Sequence, residues 1–123
     1  MIPGRPPLKG QEITGTGMQP SSFTYHVDGS SALTDAVVKA APGPGQSIYV
    51  TDIEIHKDAA TAINVFFETG ATKVYGPVYL EAIAGRGFAK SFKTPLKIAA
   101  NTALTVTSSA AIAHAIDVQG FIA

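Results

Sequence analysis

From Phe23 onward the apolar residues recur at alternate positions, the period of a half-buried strand rather than of a helix. The alternation predicts strands over residues 23–27, 33–41, 47–56, 62–69, 73–80, 88–92, 96–98, 103–107 and 112–122. Turn formers separate them: Asp28-Gly29-Ser30, the double signal Pro42-Gly43-Pro44-Gly45, and Gly85-Arg86-Gly87. Residues 32–41 alone are compatible with a helix. The β-branched pair Val37-Val38 and the lack of a capping box assign them to a strand instead.

Two local departures from strict alternation carry information. In residues 47–56 the apolar phase runs Ile48, Val50 and then Ile53, Ile55, so it slips by one residue near Thr51-Asp52. A slip inside a strand predicts a bulge, or two half-strands facing different surroundings. In residues 73–80, Val74, Val78 and Leu80 are placed on one face and Tyr75, Pro77 and Tyr79 on the other. Pro77 lacks the N–H of a central ladder, which puts that segment at an edge, a bulge or a break. In the last strand Ile112, Ile116, Val118 and Ile122 share a face, and His114 falls in phase with them. Many short strands with a turn about every ten residues predict an all-β sandwich over residues 23–123.

Residues 1–22 break the pattern. The first seventeen hold three prolines and four glycines with no apolar periodicity. Pro3, Pro6 and Pro7 fix their own φ and push Ile2 and Arg5 toward extended shapes. The expectation is an extended arm that binds neighbours, with Ile2, Pro3, Arg5, Pro6, Pro7 and Leu8 as contact residues. The prolines reduce the entropy lost when such a strap is laid down.

Composition narrows the function classes. In 123 residues, apolar content is 46%, charged content only 15%, and the formal net charge is zero. A small domain with so little charge has little to oppose association, so a homo-oligomer or a docked subunit is expected over a free monomer. There is no cysteine, which excludes a disulfide framework, a thiolate nucleophile and Cys-ligated zinc. Arg5 and Lys9 precede no signal-peptide core, and no apolar run approaches a membrane span, so synthesis in a reducing cytoplasm and no membrane partner are expected. Charge is unevenly spread. Asp28, Asp35, Asp52, Glu54 and Asp58 face only Lys39 and Lys57 between residues 27 and 60, whereas residues 82–116 hold no acid beside Arg86, Lys90, Lys93 and Lys97. The basic run reads either as a solvated edge that discourages strand pairing or as a dock for an acidic protein surface, with Arg86, Lys90 and Lys93 as its contact residues. It is too small a footprint for nucleic acid on a neutral chain.

The candidate chemistry is thin. His26, His56 and His114 have no short spacing of the kind metal ligands show. Asp28-Gly29-Ser30-Ser31 resembles the start of a calcium loop, but its twelfth position is Lys39. Gly85-Arg86-Gly87 lacks the Lys-Ser/Thr ending of a phosphate loop. Ser108-Ser109 lies in no nucleophile elbow, and no histidine stands at a recognisable triad position. Glu54 and Glu68 fall on outward strand positions rather than across a cleft. Tyr49, Tyr75 and Tyr79 offer the ingredients of a sugar platform, without a tryptophan. The expectation is a protein that is no enzyme and needs no cofactor or metal.

Residues 33–123 also carry a resemblance. The succession is Ala40-Ala-Pro-Gly-Pro-Gly-Gln-Ser-Ile-Tyr-Val-Thr-Asp-Ile-Glu-Ile55, Tyr75-Gly-Pro-Val-Tyr-Leu80, Gly87-Phe88, Thr94-Pro-Leu-Lys-Ile98, Asn101-Thr-Ala-Leu-Thr-Val-Thr107 and Ile116-Asp-Val-Gln-Gly-Phe121. It is similar to the β-sandwich or jelly-roll domains of small structural proteins of tailed bacteriophages, namely capsid decoration (cement) proteins and head or tail fibres. The resemblance covers about three quarters of the chain and brings no catalytic residue. It implies a jelly-roll-like sandwich of about eight strands on the outer capsid surface of a virion. Such a protein is often a trimer that locks the major capsid protein together. The alternative it leaves open is a receptor- or glycan-binding fibre or tail-associated module. Fibres usually add a long shaft for which this chain has no room, and decoration is the expectation.

Overall fold

The computed structural model describes residues 21–123. They form eight strands: β1 (Ser21–Gly29), β2 (Ala36–Lys39), β3 (Ile48–Lys57), β4 (Ile63–Thr69), β5 (Thr72–Leu80), β6 (Gly87–Lys97), β7 (Leu104–Ser108) and β8 (His114–Ile122). One sheet has the order β1-β8-β3-β6 and the other β2-β7-β4-β5, with every pairing antiparallel. This order is that of a jelly roll, in which the chain crosses repeatedly between two sheets. Only the β4–β5 hairpin joins sequence neighbours within a sheet.

The predicted strands are present with three adjustments. Residues 33–41 shrink to β2, because the backbone turns at Asp35, whose φ is +48°. Residues 88–92 and 96–97 belong to one strand, β6, which ends before Ile98. The first strand starts at Ser21, so the sandwich takes in two residues that the sequence reading gave to the arm. The rest of that arm, residues 1–20 with Ile2, Pro3, Arg5, Pro6, Pro7 and Leu8, lies outside the described residues.

The core fills the space between the sheets. Among the described residues its buried members are Val and Ile apart from Phe67, Leu80 and Leu104. Branching at Cβ suits the pleated surface, and each such side chain contributes about 1.5–3 kcal/mol on burial. At one side of the sandwich β5 and β6 face each other, and Tyr75 closes the gap. Its ring lies 5.4 Å from Phe92, edge-on, and 6.4 and 6.5 Å from Phe88 and Phe67. The sequence reading placed Tyr75 on the outer face; a bulge corrects this. Between Val65↔Val78 and Phe67↔Tyr75, β5 spends one residue more than β4, at Gly76-Pro77, and the phase of β5 inverts. Pro77 thus sits on an edge strand and in a bulge, two of the places open to it.

The slip at Thr51 is likewise a bulge. Val50 pairs with Gly120 and Asp52 with Gln119, leaving Thr51 as the extra residue against β8. Its hydroxyl donates to the Gln119 carbonyl at 3.1 Å. On the other side β3 passes from Val50↔Leu96 to Asp52↔Ser91, so residues 92–95 loop out of β6. Ile48, Val50, Ile53 and Ile55 all point inward as a result. The kink brings β3 close to β8 at Gly120, where a Cβ would meet the Tyr49 carbonyl oxygen and lie 2.9 Å from the Phe23 ring. Gly120→Ala should therefore destabilise the domain by about 2–3 kcal/mol in urea unfolding. An unchanged midpoint would show that the two strands can part at no cost.

Candidate functional site

Antiparallel pairing writes the outer face of the β1-β8-β3-β6 sheet in rows. One row reads His26, Asp117, Glu54, Ala89; the next reads Asp28, Ala115, His56, Gly87; a third reads Thr24, Gln119, Asp52, Ser91. Four carboxylates and two imidazoles thus share one surface, drawn from residues up to 91 positions apart. The His26 Nδ1 lies 2.6 Å from Asp117 Oδ1, and its Nε2 lies 3.4 Å from Asp28 Oδ2. Both ring nitrogens can donate only in the imidazolium, so the hydrogen bond to Asp117 and then that to Asp28 raise the His26 pKa above its ordinary value. Asp52 accepts from the Ser91 hydroxyl at 2.6 Å, and this bond lowers its pKa. Glu54 lies 3.6 Å from the His56 ring nitrogen.

The basic run lies along β6, a free edge of the same sheet. Arg86, in the turn before it, pairs with Glu81 at 3.3 Å. Lys90 is opposite Ile53 and so has the inward phase, but at the edge its ammonium emerges 5.6 Å from the Phe92 ring centre. Lys93 is exposed within the looped-out residues 92–95. An inward-phase lysine, a loop-out and Pro95 are devices that keep an edge from adding strands. The structure therefore brings Arg86, Lys90 and Lys93 to one strand and its turn. Among the described residues Lys90 and Lys93 make no ion pair with the acids of the adjoining face.

Three polar side chains inside the sandwich, His114, Ser108 and Lys57, serve the loops. His114 is buried, as its phase predicts. Its Nδ1 donates to the Ile112 carbonyl at 2.6 Å, and its Nε2 accepts from Ser108 Oγ at 3.1 Å. The sequence reading found no serine–histidine partnership, yet the fold makes one. Ser108 Oγ also accepts from the Leu33 N–H at 2.9 Å and is only 3% exposed. The pair therefore pins the β1–β2 connection to β7. Lys57, in phase with Ile53 and Ile55, is 3% exposed and donates through Nζ to the Ala59 and Ile83 carbonyls at 2.9 and 2.6 Å. The sequence reading treated Lys57 only as a charge; continuing the inward phase past Ile55 was the available signal.

Other candidates separate. Tyr49 stacks on Phe121 on one outer face, Tyr75 is in the interior, and Tyr79, 70% exposed, is on the outer face of the other sheet. They build no common platform. Glu54 and Glu68 belong to different sheets and share no cleft. Asp28-Gly29-Ser30 ends β1 and, with Lys57, Asp58 and His114, lines an open cleft of about 520 Å³ at one end of the sandwich. No group of three His, Cys, Asp or Glu converges as a metal site would require among the described residues.

Compared with models of protein families, with curated proteins and with solved structures, the chain matches none. What stands is a β-sandwich of jelly-roll topology with an acidic face beside a basic edge.

Two measurements check this geometry. The raised His26 pKa means that its pairing stabilises the fold fully below the ordinary histidine value of 6.5 and is lost as pH rises through the folded value. In an NMR titration His26 should change above 6.5, and Asp117→Asn should bring it down; a wild-type midpoint at or below that value would contradict the pairing. Lys57→Met keeps the packed stem but strips two carbonyls of their donor. It should cost about 1–2 kcal/mol and speed proteolysis within residues 81–86, and equal cleavage rates would assign the lysine no part in holding that loop.

Proposed function

We propose that the protein is a structural component of a tailed-phage virion, a decoration protein that binds the outside of the head and holds neighbouring copies of the major capsid protein together. The observation that carries the reading is the pairing of a jelly-roll domain with an acidic outer face beside a basic edge whose Lys90 and Lys93 have no acidic partner among the described residues. Its interior polar groups are spent on holding loops, so the chemistry left outside is that of contact rather than turnover. The likeness of residues 33–123 to small phage structural proteins supports the same role. The basic edge then docks on an acidic protein surface, that of the capsid or of a sibling subunit, and residues 1–20 act as a strap across the shell or across sibling subunits. Attachment at several points gives avidity from weak single contacts, so an oligomer, with a trimer the expected form, suits the task.

The separated tyrosines remove the feature that favoured glycan binding, and the decoration reading is the one retained. Its test is co-sedimentation with purified phage heads. Deletion of residues 2–20 should leave the circular dichroism of a folded sandwich and abolish shell binding. Full occupancy by the truncated protein would remove the strap from the proposal. Lys90→Glu with Lys93→Glu should lower occupancy by tenfold or more at low salt and by less at high salt. Failure of the wild-type chain to bind heads at any salt concentration would sink the decoration role itself.

A further inference from the structure

The acidic face and the basic edge are adjacent on one protomer, yet they do not neutralise each other. Asp52, Glu54 and Asp117 point outward from the sheet, whereas Lys90 has the inward phase and Lys93 stands in the loop-out. Asp28 extends the negative surface to β1, and the residues between these acids on the face, Thr24, Ala115, Gln119, Ala89 and Ser91, carry no positive charge. The titratable neighbours are His26 and His56 on the face itself, with Lys97 at its far end, 5.9 Å from the Tyr49 ring centre. Among the described residues neither Lys90 nor Lys93 has an acidic partner, and the face carries no positive charge of fixed sign short of Lys97.

We propose that the outer face of the β1-β8-β3-β6 sheet receives the β6 edge of a second copy of this chain, with Lys90 and Lys93 of one copy set against Asp28, Glu54 and Asp117 of the next. The inference deepens the oligomeric part of the proposed function but rests only on the sandwich.

Charge decides the symmetry of this contact. Two β6 edges meeting across a dyad would oppose lysine to lysine, and the loop-out would break their ladder. Two such faces meeting across a dyad would oppose carboxylate to carboxylate. The contact of unlike surfaces, face to edge, is the one both charges favour. It is heterologous, so successive copies close into a ring or continue as a filament. Its size sets its strength. Four strands at about 4.8 Å spacing and some eight residues at about 3.4 Å give a face of roughly 500 Å². An edge one strand wide covers only part of that face, so the contact totals less than about 1,000 Å², in the range of weak and transient contacts. Association is then weak, concentration-dependent and sensitive to salt, because charges at such a rim are screened over about 10 Å at 0.1 M.

The experiment is sedimentation velocity of the full chain without phage heads. Wild type should sediment as an oligomer at 50 mM salt and lose at least half of it by 500 mM. Lys93→Glu, placed in the loop-out where the ladder is already broken, should be monomeric at low salt, as should Asp28→Lys with Glu54→Lys. Mixing these two variants should restore assembly, since the reversed edge of one now matches the reversed face of the other. That recovery also shows that both are folded. A monomeric wild type at low salt overturns the proposal. So does an oligomer that persists in Lys93→Glu, which would be held by other residues, or a mixture of folded variants that stays monomeric. Because no shell is present, failure here leaves shell binding intact, and failure to bind shells leaves this contact intact.

Discussion

One extra residue in β3 organises this sandwich. β3 is hydrogen-bonded on both sides, to β8 and to β6, and an uninterrupted strand would carry Ile48, Val50, Asp52, Glu54 and His56 on the same face. Burying three polar side chains there would cost several kcal/mol each without partners. The bulge at Thr51 inverts the phase, so Ile53 and Ile55 follow Val50 into the core and the polar set turns to solvent. The core and the acidic face are thus two results of one insertion.

The neighbours accommodate that insertion in different ways. β8 answers with Gly120, the residue that lets the kinked backbone of β3 approach. β6 answers with the loop-out of residues 92–95, which exposes Lys93 and blunts the edge. The Thr51 hydroxyl spans the broken register to the Gln119 carbonyl. In the other sheet the second bulge, at Gly76-Pro77, turns Tyr75 inward to cover the core between β5 and β6, where it packs on Phe92 of that loop-out. Both irregularities exchange local ladder hydrogen bonds for burial of apolar surface. Each also fixes which charged or aromatic groups remain outside.

Polar residues inside the fold follow a different rule. Lys57 and His114 occupy the ends of inward-facing rows, where the core meets loops with unpaired backbone groups. Lysine brings donors to two carbonyls, and histidine joins a carbonyl to a serine hydroxyl. Both close the same end of the sandwich by satisfying groups that an apolar residue would leave stranded. A buried serine–histidine contact is therefore a structural clasp here, and its oxygen is already engaged by Leu33.

The sequence by itself determined the succession of strands, the turn at Pro42-Gly43-Pro44-Gly45, the phase slip at Thr51, the edge or bulge position of Pro77 and the inward phase of His114. All of these follow from side-chain period and from local φ restrictions, which a short window contains. Tyr75 was misplaced because two residues of the Gly76-Pro77 bulge oppose one on β4, and that count requires knowing the partner strand. The tertiary structure alone decided that Asp117 lies between His26 and Glu54, that Ser108 meets His114, and that Lys57 reaches Ile83. Those juxtapositions depend on which strands pair and in what register. Pairing is settled by burying one face of every strand at once, and no local stretch encodes it.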